Sequence, residues 1–149
     1  MSYSENNGQE KEVGTINHRE DDPLVCYVVV RGSLNMSAGK ACAQCCHAVQ
    51  RLFLQYCAAM AVETKIHSET KEHAHIITMT TWMKNGSRKV VLEATDEQWL
   101  RLKDEYGKGA ITIRDAGLTE VAEGTETAMA LWPNNKSEFS STIKQMRCL

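Results

Sequence analysis

A chain of 149 residues, 42% hydrophobic and 24% charged, is long enough to bury one core and has the make-up of an ordinary globular protein. No apolar run approaches the ~18 residues that span a bilayer. The start, MSYSENNGQEKEVG, has neither a secretory nor a transit pattern, so a cytoplasmic chain without membrane contact is expected. A net charge of −2 is too mild to mark a nucleic-acid binder, though it permits a local basic patch.

Residues 1–22 carry six acidic and two basic side chains and almost no apolar ones. Nothing there offsets the entropy of ordering, so a disordered acidic tail is expected over 1–22, with a single domain over 23–149. The run LVCYVVVR at 24–31 is continuous and β-branched, the pattern of a strand covered on both faces. Gly32 breaks it, and Ser37 can cap a helix that starts at Ala38 and runs to about Met60. Residues 61–75, with His67, His73 and His75, read as a polar irregular stretch. IITMTTWMKNG at 76–86 follows as a short helix or ordered loop that stops at Asn85-Gly86.

A second strand is expected at 88–94. Thr95 and Gln98 then form a capping box for a helix carrying Trp99, Leu102 and Tyr106 up to Gly107. A third strand covers 110–115 and a fourth 127–132, ended by Pro133. A last helix is expected from near Ser137, with Phe139, Ile143 and Met146 on one face. The order implies an α/β fold of three layers, a mixed four-stranded sheet flanked by helices. Strands separated by helices should run parallel, and the last two antiparallel.

The stretch MSAGKACAQCCHA at 36–48 concentrates polar chemistry. Without an export signal its cysteines should be reduced thiols. They lack the two spaced pairs of a structural zinc site, so no metal and no cofactor are expected. At ~100° per residue, Ala41, Cys45, Ala48, Val49, Leu52 and Tyr56 share the side that packs on the sheet. Cys42 and Cys46 flank that side, which makes the three thiols packing groups; a thiol-based redox protein is the reading they would otherwise suggest. Lys40, Gln44, His47 and Arg51 gather on another side, read as exposed. Ligands in open α/β sheets sit outside the carboxyl ends of the strands. Asp115 should emerge at that edge, followed by Thr119, Thr125 and Thr127.

Three segments together resemble the type 2 peptidyl-tRNA hydrolases: YVVVRGSLNMSAGKACAQCCHAV, WMKNGSRKVVL, and IRDAGLTEVAEGTETAMALWPNN. The likeness covers 24–149 and is weakest over 61–80. It implies cleavage of the ester between a peptide and tRNA, recycling tRNA from stalled or aborted translation. The family's catalytic positions fall on Lys40, Gln44, Asp115, Thr119 and Thr127. Asp115 is expected to orient or deprotonate water, and Lys40 to stabilise negative charge. Gln44 and Thr119 are expected to bond the carbonyl or ribose, and Thr127 to fix neighbouring backbone or water.

Arg31, His47 and Arg51 are expected to bind the tRNA substrate, with Lys84, Arg88 and Lys89 as further cations. A homodimer is the family-level expectation. Ser33, Ala38 and Glu120 depart from the family pattern, each lowering local positive potential. They define the alternative, a catalytically weak or inactive RNA- or protein-binding member of the same fold.

Overall fold

The computed structural model describes residues 21–63 and 71–149. Residues 1–20 of the tail expected over 1–22, His67 and the side chain of His73 lie outside the described residues. Asp22, the last residue of that expected tail, is held by Ser137, whose N and Oγ donate to its carboxylate at 2.8 and 2.6 Å. Among the described residues, six strands form one sheet: β1 (Leu24–Arg31), β2 (Lys89–Ala94), β3 (Ala110–Arg114), β4 (Glu126–Leu131), β5 (Asn134–Asn135) and β6 (Arg147–Cys148). Among the described residues, four α-helices accompany them: α1 (Ala38–Glu63), α2 (Lys71–Lys84), α3 (Asp96–Tyr106) and α4 (Ser141–Lys144). The order across the sheet is β3-β4-β1-β2-β6, with β5 paired to the start of β1.

The expected four strands are present, and two short ones were not legible. Each spans two residues, too few for any alternation. β5 pairs with Leu24 and Val25, and β6 with Leu92 and Glu93. β1 and β2 are parallel, whereas β4 is antiparallel to both β1 and β3. β3 therefore runs in the direction of β1 without touching it, since β4 lies between them. The carboxyl ends of β1, β2 and β3 and the amino end of β4 share one edge of the sheet.

β1 is buried on both faces, as its unbroken apolar run requires. Leu24, Cys26 and Val28 face α1 and α2, meeting Ala48, Leu52, Met79 and Trp82. Val25, Tyr27 and Val29 face α3 and α4, meeting Trp99, Leu102, Phe139 and Ile143. Each fully buried Val or Leu side chain stabilises the fold by roughly 1.5–3 kcal/mol relative to exposure. Trp99 is buried as expected, and Trp132 is half-buried with His75 stacked on it at 5.1 Å.

Three boundaries differ from expectation. α1 continues to Glu63 and α2 begins at Lys71, so much of the expected irregular stretch is helical. Ile76, Met79 and Trp82 are buried at helical spacing, which holds α2 despite its polar outer side. The last helix starts at Ser141, capped by Ser140, and is a single turn. The thiols also divide. Cys26 is buried and pushed up to about 12 by burial, and half-buried Cys45 to about 11, while Cys42, Cys46, Cys57 and Cys148 are exposed. Packing thus holds for Cys45 but not for Cys42 and Cys46, which point to solvent.

Candidate active site

Ser37 caps α1 by accepting from the Lys40 backbone N–H at 3.2 Å, as the S-A-G-K order allows. Lys40 and Gln44, one turn apart, then project from the same flank of α1. At the end of β3, Asp115 turns the chain. Its Oδ2 accepts from Gly117 N at 2.9 Å, the local bond that an Asp two residues before a turn glycine favours. Gly117 sits at φ +74°, and a Cβ there would meet the Glu123 backbone at 2.5 Å, so only glycine fits.

Lys40 Nζ donates to Asp115 Oδ1 at 2.6 Å and to Thr119 Oγ1 at 3.0 Å. Gln44 Nε2 donates to the same Oδ1 at 2.8 Å, and Thr127 Oγ1 donates to Gln44 Oε1 at 2.6 Å. The five positions expected to be catalytic thus form one connected network, drawn from α1, the loop after β3 and the start of β4. The chain of bonds also fixes the Gln44 amide, because a carboxylate cannot donate and must face its N–H side.

Burial grades the network. Thr127 is 0% exposed, Gln44 3% and Asp115 8%, whereas Thr119 is exposed. Gln44 is therefore not the exposed side chain that the helical wheel suggested. The loop after β3 and the start of β4 cover it, and its amide joins Asp115 to Thr127 instead of reaching outward. The Asp115 carboxyl is held below its ordinary value by the Lys40 ammonium, with the Gly117 N–H adding to it. An ammonium has three N–H donors, and Lys40 uses two of them within the network.

Lys40, Gln44, Asp115 and Thr119 line an open groove of about 720 Å³ that continues along α1 past His47, Gln50, Arg51 and Leu54. Leu118 and Arg114 form its other wall. His47 and Arg51 are brought to the groove; Arg31 is not. Alternation along β1 turns Arg31 toward α3, where its Nε donates to Asp96 Oδ1 at 2.7 Å. Ser33 Oγ donates to that same oxygen at 2.7 Å. Lys84, Arg88 and Lys89 sit at the opposite, amino edge of the parallel strands, because Lys89 pairs with Cys26 and Ala94 with Arg31. None of the three lines the groove.

Leu54 and Leu118 escaped the sequence reading, although Leu54 falls on the helical side shared by His47 and Arg51.

The family model described as Peptidyl-tRNA hydrolase PTH2 matches residues 24–149, which is nearly the whole described domain. The chain belongs to this family. Among curated proteins, a peptidyl-tRNA hydrolase of Methanococcus maripaludis is 32% identical over 126 residues, covering 82% of this chain and 96% of its own. One from Methanopyrus kandleri is 34% identical, covering 75% of this chain and 86% of its own. Peptidyl-tRNA hydrolase 2 of Saccharomyces cerevisiae is 29% identical, covering 74% of this chain and 50% of its own. Membership makes the chain a hydrolase of the peptidyl-tRNA class. Among the described residues, no helix is long and apolar enough to cross a membrane.

Proposed function

We propose that the Lys40–Asp115 pair on the groove wall performs ester cleavage in peptidyl-tRNA. The observation that carries this is the 2.6 Å contact between an ammonium and a carboxylate that both line an open groove. Ester hydrolysis needs a positioned water and a charge facing the oxyanion. Lys40 supplies the charge, offering its third N–H to the carbonyl oxygen as it becomes negative. Asp115 keeps that ammonium in place and accepts from the attacking water.

A carboxylate held below its ordinary value is a poor base at neutral pH, so orienting water suits Asp115 better than deprotonating it. Thr119, the exposed hydroxyl, is the member placed to bond the ribose or carbonyl. Gln44 and Thr127, both buried, act by holding Asp115. His47 and Arg51 grip the tRNA end through phosphates along the groove. Arg31, engaged by Asp96, has a structural part here.

The cytoplasm is the compartment that suits a translation substrate. A homodimer would use the exposed apolar line of α1 on which Phe53 and Met60, two turns apart, are 44% and 40% exposed. Nothing in the network favours the non-catalytic alternative, because all five positions are present and bonded to one another.

The test is single-turnover cleavage of a purified N-acetyl-aminoacyl-tRNA. Lys40→Ala and Asp115→Asn should each slow it by about 10²–10⁴-fold. Wild-type rates in both variants would overturn the assignment.

A further inference from the structure

We propose that Glu120 is a positioning residue: it latches the tip of the loop after β3 onto the first turn of α1 and so sets Thr119 against the Lys40 ammonium. The inference rests on the hydrolase reading above and extends it to a residue outside the five-member network.

Glu120 Oε2 accepts from Ser37 N at 2.7 Å, and its Oε1 accepts from Ser37 Oγ at 2.6 Å. Ser37 Oγ in turn accepts from Lys40 N at 3.2 Å. The neighbouring Thr119 accepts from Lys40 Nζ at 3.0 Å. Two successive loop residues thus hold both ends of one lysine, Thr119 its side chain and Glu120, through Ser37, its backbone. The bonds from Gly124 N to Asp115 O, Asp115 N to Thr125 O, Thr125 N to Ala122 O and Gly117 N to Asp115 Oδ2 lie within the loop itself, whereas Thr119 and Glu120 carry it across to the start of α1.

Glu120, expected from sequence to lower the local positive potential, directs its carboxylate at the amino end of a 26-residue helix. The helix dipole and the Ser37 N–H and O–H groups favour an anion there. Glutamine can make the same two contacts, accepting from Ser37 N and donating to Oγ, whereas alanine can make neither. Geometry and charge are therefore separable.

The experiment compares the full-length wild type, Glu120→Ala and Glu120→Gln by steady-state cleavage of N-acetyl-aminoacyl-tRNA and by amide hydrogen exchange over 116–122. Loss of the latch should lower kcat by about 10- to 100-fold, the effect of a misplacement of about 1 Å, while leaving KM nearly unchanged. Glu120→Gln should recover most of kcat. Exchange over 116–122 should quicken in Glu120→Ala and not in Glu120→Gln. An unchanged kcat in Glu120→Ala, or a raised KM with kcat intact, overturns the positioning role and leaves the hydrolase reading standing. A glutamine variant as slow as the alanine variant assigns the effect to charge and overturns the latch. A wild type that leaves the ester whole overturns the hydrolase reading; exchange then decides the latch alone, and equal exchange in all three proteins ends it.

Discussion

The carboxylate of Asp115 shows how much one side chain takes from its neighbours. Its pKa is lowered, first by Lys40 and then by the Gly117 N–H. A depressed acid contributes stability that is complete above its unfolded value, about 4, and is lost only as pH falls through the lower folded value. Asp115 should therefore stay ionised from pH 8 down to about 4. In carbon-labelled protein, the carboxyl resonance missing from Asp115→Asn should not move across that range, and a midpoint near pH 6 would restore the general-base role. Thr127 tests the buried end of the network. Thr127→Val keeps the shape and removes the donor to Gln44 Oε1. An unsatisfied buried carbonyl costs about 1–3 kcal/mol, read as a lower denaturant midpoint, and kcat should fall as Gln44 loosens.

Helices and strands were legible in proportion to their length and local chemistry. The capping box of α3 is present as read: Thr95 Oγ1 accepts from Gln98 N at 3.2 Å and Gln98 Oε1 accepts from Thr95 N at 2.9 Å. Thr95→Ala should cost about 0.5–2 kcal/mol in equilibrium unfolding while leaving kcat intact, since the box lies away from the groove. α1 followed from its wheel because Ala41, Ala48 and Leu52 are buried on one line. α2 was harder, since its polar residues read as a loop until Met79 and Trp82 meet the sheet. β5 and β6 exist only through their partners: two residues have no period, and β1 and β2 supply the bonds that define them.

Topology assembles the site. β4 enters between β1 and β3, which brings Thr127 beneath Gln44 and aims Asp115 at Lys40, 75 residues away. The same arrangement turns Arg31 toward Asp96 and leaves His47 and Arg51 lining the groove. A single-stranded tRNA end held in that groove should lose affinity with salt, and Arg51→Ala should flatten the slope of log K against log salt by about 0.7. An equal slope in wild type and variant would remove Arg51 from the phosphate grip.

The types and order of the elements, the alignment of Lys40 with Gln44, and the emergence of Asp115 at the carboxyl edge were all written in local sequence. They depend on periodicity, caps and turns, whose forces act within a few residues. The burial of Gln44, the pairing of Arg31 and the grasp of Glu120 on Ser37 were decided by folding alone. Each joins groups 65 to 83 residues apart, and hydrogen-bond partners at that separation are chosen by how the sheet is threaded.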